Sequence, residues 1–286
     1  MAYNPRSLEA VPFLQFDKLI QKLRENPEQN WTKVSMVNTL LRFKSKVEGT
    51  ITVDSWPDFS AILSHQHSEM ESLRIQCCVL ERKEEHVQMV IQEIAKKKCN
   101  YVLIVDEWLG KEVQAALQSN DMAKGPIFNT LIAFYLPKSS DFIVEPMTCP
   151  EGYVLRSLEE CHIEEVSVEW SYMDRDKKIS LFTKIVKQHH SVGIFQTCSG
   201  KIDKSPVGWC LQYPSGFLGH LFVHEEHRRK GLAKVLVQHI CCLIEEDGEV
   251  PLAFVERDNI KSLSLFRSLS FVQSDFQAAI LMHMIQ

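Results

Sequence analysis

No apolar run in this sequence approaches the roughly 20 residues needed to cross a bilayer, so no membrane-spanning helix is expected. Cys-x-x-Cys and His-Glu-x-x-His are both missing, which removes the common spacings for structural and catalytic zinc. No internal repeat and no low-complexity stretch is found. A surplus of positive charge is missing too: 32 Lys and Arg stand against 37 Asp and Glu, a formal net charge of −5. That balance argues against a protein whose main business is coating nucleic acid. The N-terminal stretch MAYNPRSLEAVPFLQFDKL has no apolar signal region, and Glu9 and Asp17 do not fit an Arg-rich transit peptide. A cytoplasmic protein, with neither nucleic acid nor membrane as partner, is the expectation.

What is present is the balance of a soluble globular protein. Hydrophobic residues make up 45% and charged residues 24% of 286 positions, enough for one large domain or two of ordinary size. Nine cysteines are spread without a framework, and the adjacent pairs Cys77-Cys78 and Cys241-Cys242 lie in apolar runs. They read as reduced, buried thiols rather than as ligands or disulfides. His65, His67, His189 and His190 read as surface histidines.

Pro137, Pro146 and Pro150 fall in an aperiodic stretch over 137–152. Proline removes a backbone donor and interrupts helix and sheet alike, so this stretch reads as a connection. The chain then divides into a domain over 1–140, a linker over 141–151 and a domain over 152–286. In the first, an amphipathic segment over 34–43 precedes strand-like runs at 50–54, 73–80, 101–106 and 129–136. Residues 56–59 read as a turn, and helices are expected over 84–98 and 110–119. In the second, strands are expected at 152–158, 191–197, 207–212, 217–223, 250–256 and 276–284, with a turn over 198–206. Helices are expected there over 160–170, 174–189, 231–246 and 259–269. The order is β-α-α-β-β-β-α-β-α-β, an α/β (α+β) class with a mixed sheet.

The most informative segment is the strand over 217–223, which runs through His224–His227 into Arg228-Arg229-Lys230-Gly231-Leu232-Ala233 and a helix. A helix N-terminus carries about half a positive charge and several unpaired N–H groups, so three cations there are misplaced. They make sense where a polyanion sits at that end. Small residues at Gly231 and Ala233 let backbone amides approach it, and a pyrophosphate or phosphate ester is the natural occupant.

FLGHLFVHEEHRRKGLAKVLVQHI resembles the signature of the GNAT superfamily, in which amides of an R/Q-x-x-G-x-G/A segment hold the pyrophosphate of coenzyme A. ERDNIKSLSLFRSLSF (256–271) resembles the superfamily's next segment, a helix beside the pantetheine arm, with Asn259, Leu265, Phe266 and Phe271 on matching positions. The whole chain is similar to the glycine N-acyltransferase group, including VDSWPDFSAIL (53–63) and VGW (207–209). The resemblance implies a GNAT-type mixed central sheet flanked by helices, with a degenerate GNAT-like α/β unit in the first half. It implies acyl-CoA (acetyl-CoA) as co-substrate, no metal, and transfer to the amine of a small acceptor such as glycine or another amino acid. The expected state is a monomer or weak dimer, and the group offers a mitochondrial address as the alternative.

Acyl transfer to an amine requires a free lone pair, a stabilised tetrahedral oxyanion and a leaving thiolate. The resemblance assigns the carbonyl to the backbone of Leu221, Phe222 and Val223, and the cofactor's phosphates to 228–233. It also puts Phe217 where the group has a carboxylate base, and Phe266 where the superfamily often has a tyrosine acid. The nearest titratable side chain on the strand is His220, whose unperturbed pKa near 6.5 suits a base. Alternation sets His220 on the face opposite Phe217, Gly219 and Leu221 unless a bulge re-aims it. Glu225, Glu226 and Glu256 are the other candidates. Two further functions stay open, a protein or polyamine N-acetyltransferase and an acyl-CoA-binding protein without turnover.

Overall fold

A computed structural model of the chain describes residues 8–25, 30–45, 48–67, 72–97, 99–119, 127–137, 148–169 and 174–283. Along it run β1 (Glu9–Ala10), α1 (Phe16–Glu25), α2 (Trp31–Ser45), β2 (Thr50–Val53), β3 (Ala61–His67) and β4 (Ser72–Val79). Then come α3 (Glu84–Ala95), β5 (Asn100–Asp106), α4 (Glu107–Ser119) and β6 (Ile127–Tyr135). The second half carries β7 (Tyr153–Ser157), α5 (Ile163–Val168), α6 (Arg175–Gln188), β8 (Ser191–Cys198), β9 (Lys201–Gln212) and β10 (Phe217–Val223). It continues with α7 (Leu232–Glu246), β11 (Leu252–Val255), α8 (Ile260–Ser268), β12 (Val272–Gln273) and β13 (Ala278–His283). The same order, β-α-α-β-β-β-α-β-α-β, thus occurs twice. It is a structural repeat that no sequence repeat announces.

The described residues fall into two compact units. One is drawn from Met1–Ala133, Val255–Asp258 and Gln273–Gln286, the other from Phe134–Phe254 and Asn259–Val272. Most of the proline-marked connection, 138–147, lies outside the described residues. In the first unit the strand order is β1-β2-β3-β4-β5-β13-β6. The last strand of the chain is therefore in the first unit's sheet, antiparallel to β5 and β6, with Ile280 opposite Ile104 and Asn129. The expectation that it completes the second half gives way to this pairing. The physical reason is in β13 itself: neighbouring Ala278 and Ala279 are both fully buried, as is Leu281. Adjacent residues point to opposite faces, so a strand buried on both must be central.

The first unit has two cores, one on each face of its sheet. Leu63, Ile75, Leu103 and Leu281 pack under α3 and α4, while Ile62, Cys78, Leu19 and Leu40 pack with α1 and α2. In the second unit the order is β7-β8-β9-β10-β11. Leu158, Phe182, Ile185, Phe195 and fully buried Trp209 join α5 and α6 to one face of it. The expected long turn over 198–206 shrinks to Ser199-Gly200, because β9 starts at Lys201 and pairs back from Cys198. No helix among the described residues is long and apolar enough to cross a membrane.

All nine cysteines are free, and Cys77, Cys78, Cys210 and Cys241 are buried, whereas Cys161 and Cys198 are exposed. Burial pushes the Cys78 and Cys210 thiols up to about 12, so neither is a nucleophile at neutral pH. The surface reading of His65 is corrected. Its side chain is buried beneath α3, with Nε2 3.4 Å from Glu93 Oε1. Burial lowers its pKa to about 4, and Lys97 acts in the same direction against the pull of Glu93.

A histidine depressed from an ordinary value near 6.5 contributes stability that is fully present above that value and is lost as pH falls toward its folded pKa. Thermal melts of wild type and His65→Gln between pH 7 and 4 check this. The wild type should lose melting temperature faster than the variant across that window, and parallel curves would contradict the assignment.

Candidate acyl-CoA site

β10 is hydrogen-bonded in parallel to β11 only at Phe217–Leu252 and Leu218–Ala253. Beyond them it continues beside β9 and leaves its other edge open. Gly219 lies opposite Leu211 but Phe222 lies opposite Trp209, so β10 carries one extra residue, a β-bulge. His220 sits in that bulge with φ 50°, the left-handed region. Gly208, the centre of the VGW segment, belongs to the same construction. A Cβ there would stand 2.8 Å from the Phe222 carbonyl oxygen, and a backbone atom cannot step aside.

The bulge turns the His220 ring onto the α5 and α6 face, where simple alternation of Gly219 and His220 would have set them on opposite sides. The ring stacks on Phe182 at 5.0 Å and lies 6.0 Å from Trp209. Nε2 lies 2.6 Å from the Val166 carbonyl oxygen, so it must be the protonated, donating nitrogen, and Nδ1 carries the lone pair of the neutral ring. Burial lowers the pKa of His220, and the bond to Val166 opposes it less strongly. Phe217 is buried and stacks on Phe254 at 4.0 Å. A carboxylate in its place would be buried in apolar surroundings.

After β10, a short 3-10 turn over Glu225–His227 leads into the loop and then α7. Arg228, Arg229 and Lys230 lie before the helix rather than in its first turn, because Gly231 is the N-cap, at φ 81° and ψ −3°. Nothing lies within 4 Å of a Cβ at Gly231, so it is the left-handed backbone and not space that calls for glycine. Arg229 also has positive φ, 62°. Left-handed backbone alternating with ordinary backbone turns successive N–H groups into one concavity, which suits an anion. The Arg228 N–H bonds back to Glu225, and Lys234 and Val235 donate to Gly231. Among the described residues, no backbone acceptor serves the N–H groups of 229–233.

The cations around this concavity are individually placed. Arg228 Nε donates to the Val223 carbonyl at 2.9 Å and its guanidinium lies 5.9 Å from the Phe222 ring centre, tying loop to strand. Lys230 Nζ donates to the Tyr153 hydroxyl at 2.8 Å, and that hydroxyl lies 2.9 Å from His227 Nδ1. Arg229 is exposed and has no ion-pair partner among the described residues. The Tyr153–His227–Lys230 contact was not legible in sequence, since Tyr153 stands 74 positions from His227.

Other sequence candidates are spread out. Asn259 caps α8, its Oδ1 accepting from the Ser262 N–H at 3.1 Å. Phe266 is buried against Phe134 and Phe271, at ring distances of 5.8 and 5.0 Å, so its side chain serves packing. Leu221, Phe222 and Val223 are half-buried, and the Phe222 ring stacks on Trp209 at 4.8 Å. Glu225, Glu226 and Glu256 are exposed. Among the described residues no group of three or more His, Cys, Asp or Glu could hold a metal ion.

Residues 191–279, from β8 into β13, match the family model described as FR47-like protein. No curated protein matches the chain. Among solved structures, a Drosophila protein is similar over 96% of this chain and 98% of its own, at 14% identity and a TM-score of 0.74. A GCN5-related N-acetyltransferase from Sphaerobacter thermophilus covers 99% of this chain and 96% of its own, at 14% identity and a TM-score of 0.53. A tandem GNAT protein from the clavulanic acid biosynthesis pathway covers 97% and 98%, at 14% identity and a TM-score of 0.51. The fold is that of the GNAT superfamily: a central mixed sheet flanked by helices, arranged twice along the chain.

Among the described residues, the concavity is found in the second unit. In the first, β4 and β5 stay paired from Ser72–Asn100 to Gln76–Ile104, the link to α3 is only Leu80–Lys83, and Glu84 and Glu85 occupy the first turn. Two carboxylates there repel phosphate. Calorimetry with coenzyme A should give one site per chain, and Gly231→Asp, which puts a carboxylate among the amides of 228–233, should abolish it while leaving the melting curve cooperative. Unchanged affinity in the folded variant would contradict the site.

Proposed function

We propose that the protein is an acyl-CoA-dependent N-acyltransferase, moving an acyl group from a coenzyme A thioester to the amine of a small acceptor such as glycine or another amino acid. The observation that carries this is the run of acceptorless N–H groups over 229–233 at the start of α7. It follows directly on a strand that has parted from its parallel neighbour. The loop takes the pyrophosphate and the open edge of β10 takes the thioester, whose carbonyl oxygen receives N–H groups from Leu221–Val223. Donors fixed before the reaction stabilise the oxyanion without reorganising. The thiolate leaves easily because thiols have a pKa near 8.5. The match over 191–279 and the GNAT fold support the reading. We take the protein to work in the cytoplasm, as a monomer or weak dimer.

Deprotonation of the acceptor is the step with the least built-in help. Phe217 offers no proton acceptor, and Phe266 no donor. His220 is neutral at neutral pH, but a depressed pKa makes it a weak base. The acceptor therefore enters as the free amine or loses its proton through water. Binding without turnover is the second reading, favoured by the same two phenylalanines.

Two outcomes are expected. First, acyl-CoA should raise the melting temperature far more than NAD or ATP, since a ligand at 100 times its Kd stabilises by roughly 2.7 kcal/mol. Equal shifts from all three would mean an unselective polyanion site. Second, kcat/KM should climb with pH toward the amine's own pKa, because His220 is already neutral above its ordinary value near 6.5. His220→Ala should cost less than about tenfold, well below the 10²–10⁴ of a general base. A plateau near pH 6.5 that vanishes in His220→Ala would identify His220 as the base instead.

A further inference from the structure

β7 is the edge strand of the second unit's sheet, three places from β10, yet its Tyr153 reaches the loop that follows β10. The backbone sets it there: its N–H donates to the Pro150 carbonyl at 3.1 Å, and it stands opposite Gln196 of β8. Lys230 Nζ donates to the Tyr153 hydroxyl at 2.8 Å, and His227 Nδ1 lies 2.9 Å from the same oxygen. An ammonium only donates, so the hydroxyl accepts from Lys230 and gives its own proton to Nδ1. The proton of the neutral His227 ring is then on Nε2. Ring contacts add to the clasp, with Tyr153 edge-on to His227 at 5.8 Å and Lys230 Nζ 5.5 Å from the Tyr153 ring centre.

One hydroxyl thus orients a donor on each side of Arg228-Arg229, His227 before and Lys230 after. Lys230 is exposed, and of an ammonium's three donors one is spent on Tyr153. Three carboxylates are near in sequence: Glu225 and Glu226 in the turn with His227, and Glu151 two residues before Tyr153. All are exposed, and among the described residues none comes within ion-pair distance of Lys230 or His227. Glu226 is turned to its own backbone N–H, which holds its carboxyl below the ordinary range. With Arg228, Arg229 and Lys230 set against those three acids, net charge does not make this an anion site. The placing of the donors does.

We infer that His227 and Lys230, held by Tyr153, form a second anion subsite beside the amide concavity, and that its occupant is the phosphate monoester on the ribose of coenzyme A. The inference rests on the acyl-CoA reading and adds a selection to it, for the phosphorylated cofactor over its dephospho form. Two of the cofactor's phosphates form the pyrophosphate, which the N–H groups of 229–233 suit. The third is a monoester, close to a dianion at neutral pH and with three strong acceptor oxygens. Lys230 supplies it with charge and the His227 Nε2–H with a directed, charge-assisted bond. The Tyr153 hydroxyl has spent its acceptor and its proton on those two side chains. Tyr153 is therefore a positioning residue, which fixes both donors before the ligand arrives and so lowers the entropy lost on binding.

The test titrates coenzyme A and dephospho-coenzyme A into the full chain by calorimetry at one ionic strength, with a melting curve for each variant. Wild type should bind coenzyme A about tenfold to a hundredfold more tightly, the size of a charge-assisted hydrogen bond. Lys230→Met should bring the two affinities together. Tyr153→Phe keeps the ring contacts and loses only the hydroxyl, so it should weaken coenzyme A severalfold while moving dephospho-coenzyme A little. In the Lys230→Met background the same change should add nothing further. Equal affinity of wild type for the two cofactors overturns the subsite, and so does a full preference kept in Lys230→Met. Equal weakening of both cofactors by Tyr153→Phe makes Tyr153 a structural residue and overturns its positioning role. Binding of neither cofactor to wild type is a different failure, that of the acyl-CoA reading itself, and takes this inference with it.

Discussion

Two rows of hydrogen bonds hold β10 to β11, and then the strands part. A parallel pair normally runs on, since each unpaired N–H or C=O left in a dry place costs about as much as a lost hydrogen bond. Here the extra residue at the bulge absorbs the misfit on the β9 side, while Gly208 lets β9 come close enough to follow the bent strand. The open edge, the re-aimed His220 and the left-handed loop that starts one turn later all depend on that parting. Remove the bulge and His220 returns to the opposite face, while Phe222 loses its register with Trp209. The polar groups exposed by the parting are the ones a thioester and its oxyanion would satisfy.

The electrostatics around this edge favour anions at one end and neutrality at the other. Arg228, Arg229 and Lys230 surround a concavity of N–H groups, and two of the three cations are tethered to the strand end and to Tyr153. Tethering spends side-chain entropy during folding rather than during binding, which favours a pre-formed anion site. Toward α5 the layer is aromatic: Phe182, Trp209 and Phe222 leave His220 little reason to charge. Such a surface disfavours a charged group.

The first unit shows what the same fold looks like without these features. Its β4 and β5 are joined over five residue pairs, from Ser72 to Gln76, before β4 runs on to Val79, and acids head α3 in place of a left-handed glycine. Under α3, Glu93 lies 2.6 Å from Lys97 Nζ and 3.4 Å from His65 Nε2. The element order is repeated, but the left-handed glycine and its cations stand before α7, and Glu84 and Glu85 stand at the start of α3.

Local chemistry was legible from the residues alone. The Arg-Arg-Lys-Gly run before a helix signalled an anion, and most strands and helices followed from period and end charges. Gly231 and Asn259 sit at the helix starts their types favour. The Phe16, Leu19, Ile20 and Leu23 spacing of α1 was equally available, but β3, with His65 and His67 in an otherwise apolar run, broke the pattern that reveals a strand. What sequence could not decide was anything set by partners far along the chain. The pairing of β13 with β5 depends on contacts between residues more than 170 positions apart, as Ile280 with Ile104 shows. The face of His220 turns on a single extra residue that only its register against β9 defines. The burial of His65 comes from the strands and α3 packed around it. A sequence specifies which groups are available and which local shapes they favour, but the three-dimensional pairing decides which of them are taken out of water, and so which remain to do chemistry.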